Sequence, residues 1–155
     1  MEESVNSMNE STVAEISFAK YLRTSFQLED VDIKTYSPLT LAYIGDAIYD
    51  VIIRTLLVEK GNAPVQKLHK RASSLVKASA QVAMYHAIKD KLTEQEMGFY
   101  KRGRNAKSFT SAKNASITDY RMATGVEALV GYLYLTDQVP RIIELMKIGL
   151  TQVEK

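Results

Sequence analysis

The sequence contains no cysteine, which excludes disulfide bonds and zinc sites built on thiolates. No run of apolar residues reaches the roughly 18 residues that a membrane-spanning helix needs. The N-terminal residues are polar and acidic, which does not fit a secretory signal. Strand-like alternation, internal repeats and low-complexity tracts are also missing. From these absences we expect a cytoplasmic protein with no membrane partner.

Charge is distributed unevenly along the chain. Its 155 residues suit one domain with a hydrophobic core, and the formal net charge is +2. Residues 1–33 carry seven acidic and two basic side chains, a net charge of −5, so the remaining residues carry +7. A basic body predicts a polyanionic partner but does not identify it.

A carboxylate interrupts the most apolar predicted helix, which spans residues 39–60. On helical spacing, Asp46 shares a stripe with Ala42, Tyr49 and Ile53. An unpaired carboxylate is costly to bury, so either a cation lies against Asp46 or water reaches it. Two interpretations stay open at this point: a structural ion pair, or a metal or catalytic site. The apolar face predicted for this helix consists of Leu41, Ile44, Ile48, Val51, Ile52 and Leu56.

The predicted helix over residues 116–136 shows the same anomaly. The neighbours of Glu127 at i−4, i−3, i+3 and i+4 are all small or apolar: Ala123, Thr124, Val130 and Gly131. If the two helices pack together, Asp46 and Glu127 can converge on one hard cation.

Three other residues that could bind a metal are assigned structural roles. Asp50 lies four residues before Arg54, and this spacing predicts an ion pair on the helix surface. His69 and His86 share no metal-ligand spacing with each other or with a carboxylate. We therefore expect surface or packing roles for both histidines.

Two segments together resemble the signatures of the ribonuclease III catalytic domain: Tyr43-Ile-Gly-Asp-Ala-Ile48 and Val126-Glu-Ala-Leu-Val-Gly131. Ahead of the second segment lie Lys101-Arg-Gly-Arg-Asn-Ala-Lys-Ser108 and Tyr120-Arg121. These are similar to the short bacterial subfamily, Mini-ribonuclease III, which lacks a double-stranded-RNA-binding domain. The resemblance extends over residues 39–150, and the order and spacing of the motifs together indicate the family.

The resemblance implies an all-α fold, a helical bundle like the ribonuclease III catalytic (endonuclease) domain. It also implies a homodimer with a cleft that holds double-stranded RNA, and Mg²⁺ as the cofactor. Each subunit would cut one strand and leave 5′-phosphate and 3′-hydroxyl ends. The short subfamily is associated with maturation of large-subunit (23S) ribosomal RNA, and a ribosomal-protein helper is a further partner to consider.

The resemblance also assigns the site residues. Asp46 and Glu127 correspond to two of the four central acidic positions of the family, as catalytic and metal-binding residues. Ala42 and Thr124 stand where larger members carry the other two acids, and Leu39 replaces an outlying acid. The short subfamily is similar in these losses.

Basic residues on the predicted helical segment 63–90 and in the predicted loop 101–113 are the candidate RNA contacts. The polar face of the first segment and the whole of the second carry cations with no acid among them. A solvated surface is the alternative for each. A-form RNA is recognised mainly by its shape and its phosphates, which suits such surfaces. The predicted RNA-binding residues are Lys67, Lys70, Arg71, Lys101, Arg102, Arg104 and Lys107.

The chain divides into two predicted parts. Residues 1–36 form an acidic N-terminal extension, with a weak helical pattern from Ser11 to Phe26, that is accessory to a catalytic domain over residues 37–155. Two other functions remain open. One is a catalytically inert RNA- or ribosome-binding module on the same fold, and the other is a helical protein-interaction domain whose carboxylates are structural.

Overall fold

The structure, a computed structural model, describes residues 17–107 and 116–153 of the chain. Over these ranges it contains α-helices and two short 3₁₀ segments but no strand, which confirms the predicted all-α fold. In chain order the helices are α1 (Phe18–Ser25), α2 (Pro38–Glu59), α3 (Val65–Val76), α4 (Ala78–Ile88), α5 (Glu94–Asn105), α6 (Ile117–Leu135) and α7 (Val139–Val153). The 3₁₀ segments are Ile33–Thr35 and Lys89–Lys91. Within the described ranges, no helix is long and apolar enough to cross a membrane.

Local signals set several helix ends. Thr93 and Glu96 form a capping box at the start of α5. The Ser116 hydroxyl accepts a hydrogen bond from the Asp119 N–H at 3.0 Å and caps α6. Each such cap stabilises its helix by about 1 kcal/mol. Past the end of α2, Gly61 has a φ of 133°, a conformation that favours glycine.

The helical segment predicted over residues 63–90 consists of two helices, α3 and α4. They meet at Lys77, whose extended backbone (φ −64°, ψ 159°) interrupts the helical hydrogen bonding. The Gln81 side-chain amide spans this junction and donates to the Val76 carbonyl at 3.1 Å. A side chain thus replaces part of the helical hydrogen bonding that is lost at the junction.

Helix α5 is longer than predicted. The sequence predicted a loop over residues 101–113, but α5 continues to Asn105. Gly103 allows the extra turn to pack closely on α6, since a Cβ there would lie 2.6 Å from the Cβ of Ala128. The first five residues of the predicted loop are therefore helical, and that part of the prediction was wrong. Residues 108–115 lie outside the described residues.

The core lies between α2 and α6. Leu41, Tyr49 and Ile53 of α2 and Leu129 and Leu133 of α6 are at most 1% exposed. Full burial of one such side chain contributes roughly 1.5–3 kcal/mol. Helix α5 packs on α6, and α4 packs on both α6 and α7, so the central pair is enclosed by other helices.

The buried face of α2 differs from the predicted one. The predicted apolar face includes Val51 and Leu56, but both side chains are exposed in one copy, whereas Tyr49 and Leu57, which the predicted face omits, are buried. The reason is the direction from which α6 approaches, which centres the contact on Gly45. Sequence periodicity alone did not identify that direction.

Helix α1 lies against the end of α6. Arg23 pairs with the Asp137 carboxylate at 2.8 Å, and the Ser17 hydroxyl donates to the same carboxylate. Ala19 of α1 is buried in this contact. The accessory role of the N-terminal extension stays a prediction, and residues 1–16 lie outside the described part of the chain.

Candidate active site

Two glycines bring α2 and α6 into backbone contact. A Cβ on Gly45 would lie 1.7 Å from the carbonyl oxygen of Glu127, and a Cβ on Gly131 would lie 1.9 Å from that of Leu41. The helices are antiparallel, because these two contacts occur in opposite order along the two helices. No side chain larger than that of glycine fits at this separation. The crossing therefore places Asp46, the neighbour of Gly45, beside Glu127.

The crossing brings the two predicted catalytic carboxylates within hydrogen-bonding reach of each other. Glu127 is half-buried, whereas Asp46 is exposed. Burial, followed by the hydrogen bond with Asp46 and its negative charge, raises the pKa of Glu127 to about 9. In the absence of a cation the Glu127 carboxyl therefore holds a proton at neutral pH.

Ion pairing with a cationic side chain of the described residues does not explain this carboxylate pair. The pKa of Glu127 responds to burial and to Asp46, with no contribution from lysine or arginine. The described ion pairs join arginines to other acids, namely Asp50, Glu96, Asp137 and Glu144. The pair between Asp50 and Arg54, at 3.0 Å, confirms the sequence prediction. These observations favour a cation site over a structural ion pair at Asp46.

The ligand atoms of the pair suit a hard divalent cation. Among residues 17–107 and 116–153, no group of three or more His, Cys, Asp or Glu side chains could hold a metal ion. Asp46 and Glu127 offer carboxylate oxygens, and the Asp46 side is open to solvent. Mg²⁺ typically binds one or two carboxylates and completes its shell with waters and substrate phosphate, so the pair fits this ion.

The positions that carry acids in larger family members add no carboxylate here. Ala42 is buried, and the Thr124 hydroxyl donates to the Tyr120 carbonyl at 2.9 Å within its own helix. The charged ligands of a cation at this site would therefore be Asp46 and Glu127.

Tyr49 is a neighbour of the site to which the sequence assigned no role. Its ring is buried, and its hydroxyl donates to the Leu75 carbonyl at 3.3 Å, which ties α2 to the end of α3. Burial, and then the charge of Glu127, raise the pKa of this hydroxyl, so it stays protonated and keeps donating. Tyr49 follows Asp46 by three residues in the sequence, and this helical spacing could have identified it as a neighbour of the site.

The predicted RNA-binding residues of α3 face solvent. Lys67, Lys70 and Arg71 are exposed, whereas Leu68 and Ala72 pack toward the body of the protein. Helix α3 is thus amphipathic, with a cationic outer face. Contact between this face and RNA stays a prediction.

The two predicted RNA-binding arginines of α5 also pack against aromatic rings. The Arg102 guanidinium lies 5.3 Å from the centre of the Phe99 ring and donates to the Tyr36 carbonyl at 3.0 Å. Arg104 lies 5.8 Å from the centre of the Tyr100 ring. The two lysines predicted with them are exposed: Lys101 and Lys107. RNA contact by these four side chains also stays a prediction.

Comparison with known proteins identifies the family. The sequence model of the ribonuclease III domain matches residues 39–138. The Mini-ribonuclease 3 of Clostridium tetani is 50% identical over 125 residues, which cover 80% of this chain and 83% of the relative. The Mini-ribonuclease 3 of Enterococcus faecalis is 50% identical over 117 residues, covering 74% and 89%. That of a Thermoanaerobacter species is 40% identical over 141 residues, covering 91% and 99%.

A solved structure agrees with the sequence comparison. The crystal structure of a Fusobacterium nucleatum protein superposes with a TM-score of 0.71 at 31% identity. The superposition covers 79% of this chain and 98% of that one. The chain therefore belongs to the ribonuclease III family, among its Mini-ribonuclease 3 members, and is an endoribonuclease.

Proposed function

We propose that the protein is a Mg²⁺-dependent endoribonuclease that cleaves double-stranded RNA at Asp46 and Glu127. The observation that carries this proposal is the convergence of the two carboxylates where α2 and α6 cross at Gly45 and Gly131. Such a pair costs stability at neutral pH when no cation is present, because burial and the neighbouring Asp46 make Glu127 take up a proton on folding. A site that binds a cation during hydrolysis gives a reason for that cost.

The two carboxylates have different roles in the proposed mechanism. Asp46, exposed to solvent, presents its oxygens toward the side from which RNA and water arrive. Glu127, half-buried and held by the packing of α6, would supply the second carboxylate ligand, in its deprotonated form. A bound Mg²⁺ would activate a water molecule and neutralise charge on the scissile phosphate. Hydrolysis would leave 5′-phosphate and 3′-hydroxyl ends.

The charge of the body supports a double-stranded RNA substrate. Residues 34–155 carry a net charge of +7, and exposed cations occupy α3 and α5. An A-form duplex presents phosphates and 2′-hydroxyls in a regular shape, so these cations bind it without reading its sequence. Within this class we propose a precursor of 23S ribosomal RNA as the physiological substrate, processed in the cytoplasm with or without a ribosomal-protein helper.

A homodimer is part of the proposal. A duplex has two strands, and one cut in each requires two sites related by a two-fold axis. Helix α2 leaves Tyr43 and Val51 exposed, with Tyr43 at 82%, so it has apolar surface available for a second subunit. We place part of the interface there.

One alternative function has a specific observation in its favour. Ala42 and Thr124 remove two acids of the larger family members, which suits a catalytically inert RNA- or ribosome-binding module on the same fold. Cleavage of a plain RNA duplex decides between the two. We expect two cuts per duplex with Mg²⁺ and none with a chelator, and salt-sensitive binding without any cleavage would select the inert module.

A further inference from the structure

A short acidic and apolar segment leaves its large side chains in solvent. We call residues 26–32, between α1 and the first 3₁₀ segment, the N-terminal arm. Phe26, Leu28 and Val31 are between 57% and 71% exposed. The acids beside them are also exposed: Glu29, Asp30 and Asp32. The arm lies outside the match to the ribonuclease III domain, so the proposed catalysis does not account for it.

The arm has a defined starting direction. The Leu28 N–H donates to the Arg23 carbonyl at 2.9 Å, which closes the end of α1. Gln27 takes a φ of 54° in this turn, a conformation that side chains other than glycine and asparagine rarely adopt. The turn ends α1 and fixes the position of Leu28 relative to Arg23.

A groove between α2 and α3 is complementary in polarity and charge to the N-terminal arm. It has a volume of about 190 Å³, and apolar residues line it: Leu57, Val58, Val65, Leu68 and Ala72. Arg54 and His69 complete its lining. The outer face of α3 carries three more exposed cations, Lys67, Lys70 and Arg71. An apolar groove edged by cations suits an apolar segment with carboxylates, whereas RNA would leave the apolar lining uncovered.

The arm cannot reach the groove of its own copy. Both of its ends are held near the start of α2, by the Arg23–Asp137 ion pair and by the hydrogen bond from Arg102 to Tyr36. Asp137 follows the end of α6 that lies beside Leu41. The groove residue Leu57 is 16 residues further along α2, a distance of about 24 Å. Leu28 is held at the end of α1 by its hydrogen bond to the Arg23 carbonyl, and Arg23 is paired with Asp137, so Phe26 and Leu28 stay far from Leu57 of the same copy.

We infer that the arm of one copy docks into the α2–α3 groove of a second copy of this chain. In this contact Phe26 and Leu28 enter the groove, and Glu29 and Asp30 approach the cations at its edge. The contact does not require catalysis and covers apolar surface on both partners; its carboxylates approach the face of α3 that the proposed function assigns to RNA. Because each copy has one arm and one groove, two copies can exchange arms symmetrically.

Engineered disulfides test the contact directly, since the natural chain has no cysteine. Leu28→Cys in one preparation and Val58→Cys in another are mixed and oxidised, and cross-linked dimers are measured on non-reducing gels. We expect cross-linking severalfold faster than for the control mixture of Leu28→Cys with Ile117→Cys. Ile117, at 64% exposed, is as accessible as Val58, at 58%, but lies outside the groove. Thermal unfolding checks that each variant is folded.

Three outcomes would overturn the inference. One is equal cross-linking rates in the two mixtures. Another is a disulfide confined to a single chain when both cysteines are placed on the same copy. The third concerns charge: adding Glu29→Lys and Asp30→Lys to the Leu28→Cys chain should slow cross-linking to Val58→Cys, and an unchanged rate would contradict the docking geometry. None of these measurements depends on whether the protein cleaves RNA, so failure here leaves the proposed function standing.

Discussion

At the scale of single residues, Asp46 and Glu127 lie where the proposed catalysis needs them, and their contact lowers the stability of the metal-free protein. Asp46→Asn keeps the size of the side chain and removes its charge. We expect this change, and Glu127→Gln, to abolish duplex cleavage. Glu127→Gln needs no proton uptake on folding, and Asp46→Asn removes the charge that helps to raise the pKa of Glu127, so the free energy of unfolding without Mg²⁺ should stay equal or rise slightly. Thermal unfolding without metal and cleavage assays with Mg²⁺ measure the two effects.

Asp50→Asn is the matched control on the same helix. It breaks the surface pair with Arg54, which contributes roughly 0.3–0.5 kcal/mol, and should leave cleavage near its normal rate. If Asp46 were part of a buried structural pair, Asp46→Asn would destabilise the protein by about 3–5 kcal/mol. That result, or near-normal cleavage by either site variant, would rule out the catalytic assignment.

Glu96 predicts a dependence of stability on acid pH. Burial would raise its pKa, but hydrogen bonds from Arg141 and Thr93 and the charge of Arg141 together lower it below its ordinary value of 4.5. A carboxyl whose pKa is lower in the folded state stabilises the fold above its unfolded-state pKa, and this contribution is lost as pH falls. The free energy of unfolding should therefore drop between about pH 5 and pH 3.

Glu96→Gln tests the origin of this drop. Glutamine keeps the capping hydrogen bond to Thr93 but loses the charge that faces Arg141. We expect a loss of about 1–3 kcal/mol at pH 7 and a smaller acid-induced drop, measured by urea unfolding across pH. Glu144→Gln is the control, because Glu144 is an exposed partner of the same arginine. An unchanged pH profile in Glu96→Gln would show that other carboxyls cause the drop.

At the scale of helices, the crossing of α2 and α6 determines whether a site forms. Gly45→Ala places a Cβ 1.7 Å from the Glu127 carbonyl oxygen, so the helices must separate. We expect destabilisation of about 3 kcal/mol or more and loss of cleavage. Gly98→Ala on α5 is the control, since its Cβ would meet no atom within 4 Å. There the higher helix propensity of alanine should raise stability by up to about 1 kcal/mol. Equal effects of the two changes in thermal unfolding would contradict the close crossing.

The outer face of α3 gives a prediction for RNA binding. Lys70→Ala with Arg71→Ala should weaken binding to duplexes of different sequence by similar factors. The slope of log affinity against log salt should fall by about two, since each neutralised phosphate contact contributes about one. These two residues are chosen because Arg102 also holds the Tyr36 carbonyl, and its removal would disturb packing as well. The control is Lys147→Ala on α7, and an unchanged affinity in the double variant would remove α3 from the RNA surface.

At the scale of the whole molecule, the N-terminal extension is predicted to be accessory. A chain that begins at Thr35 should fold and cleave RNA, because the match to the ribonuclease III domain begins at residue 39. Truncation deletes Arg23 and with it the ion pair to Asp137. Because this pair is partly exposed, its loss should lower the melting temperature only slightly. Unfolding of the truncated chain would instead place α1 in the core.

Several features could be predicted from sequence because they depend on neighbours within one or two helical turns. The Thr93–Glu96 capping box and the Asp50–Arg54 pair follow from spacings of three and four residues. The two carboxylates on apolar helices were visible for the same reason. Side chains at i+3 and i+4 meet in any α-helix, so such contacts need no knowledge of the partner helix.

Tertiary structure determined which helix faces meet and how closely the helices approach each other. It buried Tyr49 and Leu57 and left Val51 exposed, although all three are apolar residues of one helix. Tertiary packing also extended α5 to Asn105 through the contact at Gly103, and it brought Glu96 to Arg141 from 45 residues away. Such pairings depend on the direction and distance at which two helices cross, which only the packing of the whole chain determines. The sequence thus determined the local chemistry of each carboxylate, and the glycine-mediated crossing of α2 and α6 made them one site.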